Sequence, residues 1–201
     1  MAALSSGEVK KRSFLKSKIR AARILLTDVT HAQLLAKEAT RSKPWPPQDT
    51  GRLHDISEAA FDIDDFYRVV DVLHQRFAFA SSSNLVPSEE LSRVVTWTNR
   101  FEKFNEKQWK KGYKALILLE YLLTHGPLSF ADELASDKEV IQKMCNFHCF
   151  DETGHNWGST MKKTAERVLQ LMEKGPFLKE ERDRLRQTTR RIHGFGNSTP
   201  R

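Results

Sequence analysis

Trp109-Lys110-Lys111-Gly112-Tyr113-Lys114-Ala115-Leu116-Ile117-Leu118-Leu119-Glu120-Tyr121-Leu122 changes character partway along. Its first six residues hold three lysines, and the next five are apolar without a break. The apolar run stops at Glu120, far short of the roughly 18–20 residues that a bilayer span needs. The stretch therefore reads as a central helix, Trp109 to His125, apolar on almost every side after its first turn. Gly126 is the expected C′ residue, and Pro127 prevents continuation. A helix this apolar needs other elements around it, and the rest of the chain offers helices. Strand alternation is absent, and the seven prolines and most glycines fall between periodic segments. The class is all-α.

Upstream, residues 8–26 read as a basic amphipathic helix. Leu15, Ile19, Ala22 and Leu26 recur at helical spacing, with Lys16, Lys18, Arg20 and Arg23 around them. Thr30 is an expected N-cap for a helix to about Thr40, which the Pro44-Trp45-Pro46-Pro47 turn stops. Asp49 or Thr50 caps a short helix over 51–60, and Asp62 caps the next, to about Phe77. Ser81 to Asn84 reads as a loop. Pro87 and Ser88 then open a helix from Glu89 to about Phe104. Downstream, two short helices are expected over about 128–135 and 138–147. A loop covers 150–158, a helix capped by Ser159 runs to Lys174, and a charged helix follows from about Phe177 to His193. Residues 194–201 read as a tail. Short helices joined by short loops suggest packed hairpins in a curved stack.

At 201 residues, 39% of them hydrophobic and 9% aromatic, the chain has the length and composition of one globular domain. Cys145 and Cys149, four apart on an expected helix, are badly placed to bridge and read as reduced core thiols. Neither a signal peptide nor a membrane span is recognisable, so a cytosolic protein is expected. The net charge of +7 is uneven: residues 1–24 carry +6, residues 179–201 carry +4, and the middle carries −3. Basic ends on a slightly acidic body suggest a polyanionic partner, either a membrane surface or a nucleic acid.

Lys107, Lys110, Lys111 and Lys114 are spaced i, i+3, i+4, i+7 and share one side of the central helix. Placed in its N-terminal turns, they would add fixed charge to the anion-favouring end of the helix. The same spacing also suits a plain solvated lysine face. Other patterns carry less. Cys145, His148, Cys149 and His155 lack the spacing of a zinc finger, and the Asp151–Gly158 loop lacks the closing glutamate of a calcium loop, so no metal site is assigned. No nucleophile motif or glycine-rich phosphate loop is present, so no enzyme and no cofactor are expected. Leu116 to Glu120 spells a clathrin-box peptide, yet it belongs to the most apolar helix and reads as core. Trp45, Trp109 and Trp157 read as core or turn residues.

Taken in order, Glu38-Ala39-Thr40 with Pro44-Trp45, then Trp109, Tyr113-Lys114-Ala115 and Leu119-Glu120-Tyr121-Leu122 resemble the ENTH domain of the epsins. Phe147, the Asp151…Gly154…Gly158 loop and Glu180-Glu181-Arg182 complete the set, and the resemblance covers about residues 18–190 apart from the stretch between Phe77 and Lys107. The ANTH lipid motif is not visible. The resemblance implies a right-handed superhelix of about seven to eight helices, ENTH/VHS-like, preceded by the basic amphipathic segment. It divides the chain into that segment (1–27), expected to be disordered until it meets a membrane, a helical domain (28–193) with a long insertion at about 78–106, and a disordered tail (194–201). It also implies phosphoinositide binding. Lys37 and Arg76 stand at headgroup-binding arginines of the family, Lys107 at a lysine, Lys111 at a histidine and Ser42 at an asparagine. Arg20 and Arg23 fall on basic family positions, while Lys18 and Ile19 depart from the pattern.

The implied headgroup set is thus Lys37, Arg76, Lys107, Lys111, Arg20 and Arg23, supported by Lys110, Lys114, Lys16 and Lys18. Leu15, Ile19 and Leu26 would insert into the bilayer. The implied role is vesicle trafficking, in clathrin-mediated endocytosis or Golgi and endosome budding, on cytosolic membrane faces. Clathrin, adaptor complexes or SNAREs are candidate partners through the folded surface, because the tails of full epsins have no counterpart after His193. The alternatives are a helical module that binds a SNARE or adaptor with little lipid affinity and, further off, a nucleic-acid binder.

Overall fold

The computed structural model describes residues 29–45, 47, 50–82, 98–147, 149–150 and 154–194. The segment 8–26, with Leu15, Lys16, Lys18, Ile19, Arg20, Arg23 and Leu26, lies outside them. The described residues form α1 (His31–Ala39), α2 (Thr50–Ala59), α3 (Ile63–Ser82), α4 (Thr98–His125), α5 (Phe130–Glu133), a 3-10 turn (Leu134–Asp137), α6 (Lys138–Met144), α7 (Trp157–Met172) and α8 (Pro176–Gly194). Among them the only extended pairing is an isolated bridge between Phe150 and Asn156.

Several boundaries follow the local chemistry of the sequence. Thr30 caps α1, its hydroxyl accepting from Gln33 N at 3.3 Å. Asp62 Oδ1 accepts from the backbone N–H groups of Asp64 and Asp65 at the start of α3. Gly126 follows α4, but a left-handed backbone is not the reason. A Cβ there would sit 2.9 Å from Leu122 O, so the close approach of the chain requires glycine.

Other boundaries differ from expectation. α3 does not stop near Phe77 but runs through Ser81 to Ser82. No proline or glycine interrupts 63–82, and Ala78 and Ala80 favour helix. The separate helices expected over 89–104 and 109–125 are replaced by one continuous helix from Thr98, with residues 83–97 outside the described set. No breaker lies between Thr98 and Lys111. α7 begins at Trp157, and its cap is Asn156, whose Oδ1 accepts from Ser159 N at 3.0 Å. Ser159 is therefore not the cap. α6 ends at Met144, which leaves Cys145 and Cys149 off the helix as half-buried thiols.

α4 is the axis of the structure. α1, α2, α3, α5, α7 and α8 all pack against it. Ala115, Leu116, Leu118, Leu119 and Leu122 have no solvent exposure. Val69, Leu73 and Phe77 of α3 join them in the core, as do Met161, Ala165, Val168 and Leu171 of α7. The Leu116–Glu120 peptide is therefore core, and none of its apolar side chains except part of Ile117 reaches the surface. No described helix is long and apolar enough to cross a membrane.

Polar latches hold the outer helices to this axis. Arg182 of α8 donates from Nε to Leu123 O at 2.8 Å and from Nη2 to Gly126 O, satisfying carbonyls that the end of α4 leaves without helical partners. Arg167 of α7 bridges Glu120 of α4 (2.6 Å) and Glu181 of α8 (2.7 Å). Burial works against its charge, but the hydrogen bonds to Glu181 and Glu120 prevail and hold its pKa above the usual arginine value. Arg167→Ala would leave two carboxylates facing each other, one of them largely buried. The expected loss is about 2 kcal/mol of unfolding free energy, partly offset by solvent at this half-exposed site. Urea denaturation measures it, with Arg167→Lys recovering part of the loss.

Candidate functional site

The Lys43–Pro44 bond is cis, and the turn after it brings Trp45 back onto the helices. The Trp45 ring meets those of Trp157 at 4.5 Å, Trp109 at 5.1 Å and Tyr113 at 5.7 Å between centroids, all edge-on. Three sequence segments are thereby joined through one side chain, and the tryptophans are packing residues.

Next to this aromatic cluster, α1, α3 and α4 bring cations together. Arg76 of α3 donates from Nε to Thr40 Oγ1 at 2.9 Å and from Nη2 to Lys37 O at 3.4 Å. Thr40 is fully buried, and its hydroxyl donates a hydrogen bond to Ala36 O at 2.7 Å. The guanidinium is thus fixed to the C-terminal end of α1. Burial, and then the charge of Arg41, lower the pKa of Arg76, which nevertheless stays protonated at neutral pH. On α4, burial, then Arg76, then Lys107 lower the pKa of Lys111. The perturbing neighbours of Lys111 are therefore both cations. Mutual repulsion of this kind is relieved when an anion binds among the charges.

Lys37, Arg76, Lys107 and Lys111 consequently occupy one region, built from the last turn of α1, the distal half of α3 and the middle of α4. Arg41 belongs to it as well and was missed in the sequence reading. It lies two residues past the end of α1, where helix spacing gives no guide to its direction. Ser42 is half-buried just beyond.

The supporting lysines differ from expectation. Lys114 is only 5% exposed, and its ammonium donates to Pro44 O at 2.5 Å. Burial, then Lys110, lower its pKa. It clamps the turn rather than facing solvent, because the 44–45 turn covers this side of α4. Lys110 pairs with Glu106 and sits 5.2 Å from the Trp45 ring centroid and 5.6 Å from that of Trp109. Its charge is engaged by protein groups. The helix-terminus argument also fails. α4 starts at Thr98, so Lys107 to Lys114 lie in its interior, where backbone N–H groups are already bonded within the helix. Attraction for an anion in this region rests on side-chain charge.

Comparisons with known proteins agree with this architecture. The chain is 22% identical to Epsin-3 of Saccharomyces cerevisiae over 184 residues, covering 92% of this chain and 39% of that protein. It is 23% identical to human Clathrin interactor 1 over 164 residues, covering 81% of this chain and 22% of that protein. The chain thus spans well under half the length of these curated relatives. Among solved structures, the ENTH domain from epsin-2 in complex with phosphatidylinositol 4,5-bisphosphate superposes with a TM-score of 0.56 at 21% identity, covering 82% of this chain and 97% of that one. The family model of the ENTH domain matches residues 29–178, from just before α1 to the start of α8, and the chain belongs to that family.

Proposed function

We propose that this protein is a phosphoinositide-binding peripheral membrane module of vesicle trafficking, not an enzyme, and that Lys37, Arg76, Lys107 and Lys111 contact the inositol phosphates. The observation that carries this reading is the meeting of cations from α1, α3 and α4: Arg76 is bonded to Lys37 O, and burial, then the charges of Arg76 and Lys107, disfavour charged Lys111. The anchoring of Arg76 on Thr40 and Lys37 O supports it, because a preorganised charge costs little to immobilise on binding. The phosphatidylinositol 4,5-bisphosphate complex of the epsin-2 ENTH domain supports the choice of ligand class. Arg41 joins the set. Arg20 and Arg23 extend it, and Leu15, Ile19 and Leu26 add insertion to electrostatic attraction, since neither alone anchors a protein firmly. The epsin and clathrin-interactor relatives favour work on cytosolic membrane faces in coat-linked budding, with clathrin, adaptors or SNAREs as partners.

Vesicle co-sedimentation of the whole chain tests the reading. Phosphatidylcholine vesicles carrying a phosphoinositide should pellet the protein, and phosphatidylserine vesicles of equal charge should do so much less. Soluble inositol phosphates should compete, and added salt should weaken binding. Equal pelleting by both anionic vesicles would remove the headgroup site, and no pelleting by either would remove the membrane role.

A further inference from the structure

Two hydroxyls lie among the cations at the end of α1, on Thr40 and Ser42. Thr40 is fully buried, and its hydroxyl is engaged on both sides: it donates to Ala36 O and accepts from Arg76 Nε. Ser42 is half-buried in the irregular stretch after α1, between exposed Arg41, Lys43 and Pro44. No helix has to open for an enzyme to reach it. Residues 41–43 span the gap between two fixed points, Thr40 under Arg76 and Pro44 under the Lys114 ammonium. Arg41 precedes Ser42, Lys43 follows it, and Lys37 lies five residues before. The one acid between 37 and 45 is Glu38, which pairs with Arg52 at 3.5 Å. Such a basic segment suits an enzyme with an acidic cleft.

Ser42 is tied closely to the candidate site. It follows Thr40 by two residues, so their Cα atoms lie within about 7.6 Å of each other. The Thr40 hydroxyl is itself 2.9 Å from Arg76 Nε. The charge of Arg41 acts on Arg76, and those of Arg76 and Lys107 act on Lys111. A phosphate on Ser42 would bring about two negative charges and three acceptor oxygens to these cations. The C-terminal end of a helix ordinarily repels an anion. Here Arg76 offsets that repulsion by donating to Lys37 O in the last turn of α1. A phosphate at 42 and the phosphates of a lipid headgroup would compete for the same side chains.

We propose that Ser42 is a phosphorylation site, and that its phosphate occupies Lys37, Arg41, Arg76, Lys107 and Lys111 and closes them to lipid. The donor is ATP, held by a protein kinase that selects basic segments. The Ser42 oxygen attacks the γ-phosphorus, and the bond from that phosphorus to the β–γ bridging oxygen breaks. ADP leaves, and the serine proton passes to a base of the kinase. The closing step rests on the lipid reading of the site. The modification and the contact of its phosphate with the cations do not.

The whole chain carrying phosphoserine at 42, installed during synthesis, tests this beside a chain carrying it at 136. Ser136 is exposed in the 3-10 turn, next to Asp137, which meets His74 at 2.6 Å. His74 and Arg76 are two apart on α3 and point to different sides, so a phosphate at 136 adds equal charge away from the cations. Phosphoserine 42 should lower affinity for phosphatidylinositol 4,5-bisphosphate vesicles about thirtyfold, since it cancels two charges. Phosphoserine 136 should cost less than about threefold, because salt screens it. Phosphorus NMR without lipid gives a second readout. The phosphate pKa, about 6 in isolated phosphoserine, should fall by about one unit at 42 and not at 136, because cations favour the dianion. Equal vesicle affinity with and without phosphate at 42, equal losses at 42 and 136, or a pKa at 42 no lower than at 136 would overturn the proposal. So would failure of a basophilic kinase with ATP to label Ser42 in the folded chain. An unmodified chain that ignores the vesicles while the pKa at 42 still falls would sink the lipid reading, and the closing step with it.

Discussion

Lys107→Glu/Lys111→Glu should reduce affinity for phosphoinositide vesicles by several hundredfold. Each basic residue near an anionic leaflet contributes about 1 kcal/mol, so reversing two removes about 4 kcal/mol at low salt. Lys107→Ala/Lys111→Ala removes charge without reversing it and should lose about half as much free energy. The loss should shrink as salt screens the remaining charges. Stability should move the other way. Burial, then Arg76, then Lys107 disfavour charged Lys111, so a glutamate at 111 turns the Arg76 contact from repulsion into attraction, while the 107–111 pair stays like-charged as before. The double glutamate variant is therefore expected to melt no lower than wild type. Wild-type affinity in a folded variant would exclude this surface from lipid contact.

Leu119→Ala should produce the largest loss of stability, about 3 kcal/mol. Leu119 has no exposure and sits on the helix that six other helices pack against, so the vacated volume has few ways to collapse. The melting temperature should fall by roughly 6–12 °C. Leu119→Met conserves volume and should cost less than about 1.5 kcal/mol. Urea titration followed by circular dichroism measures both. A loss below about 1 kcal/mol for Leu119→Ala would mean that α4 is less tightly surrounded than the structure indicates.

What could be read in advance from the residues depended on range along the chain. Thr30, Asp62 and Gly126 mark helix ends through groups within four residues, and the apolar run from Ala115 to Leu119 identifies the central helix by itself. Residues 98–104 were read as helix but as a separate element, because the polar run 105–108 gives no periodic signal that joins them to Trp109, although nothing there breaks a helix. The role of Lys114 was invisible for a different reason. Its partner, Pro44 O, lies 70 positions away, and helix spacing alone placed the lysine on an open face. The Arg76–Thr40 contact spans 36 positions and is just as silent locally. Family resemblance could nominate Arg76 as a cation of the site, but it carried no information about how the side chain is held.

The attachment of Arg76 to Thr40 and the Lys37 carbonyl gives this residue a structural duty beside the lipid contact proposed for it and for Lys107. Replacing it would take away the donor to the buried Thr40 oxygen and loosen the seam between the first and third helices before any ligand is met. In living cells such a substitution would register first as reduced abundance, because quality control responds to instability. A survey scored on protein level would flag Arg76 and pass over Lys107, whereas one scored on recruitment would flag both. Comparing the two scores would separate a cation that also holds the architecture together from one kept only for what arrives from outside.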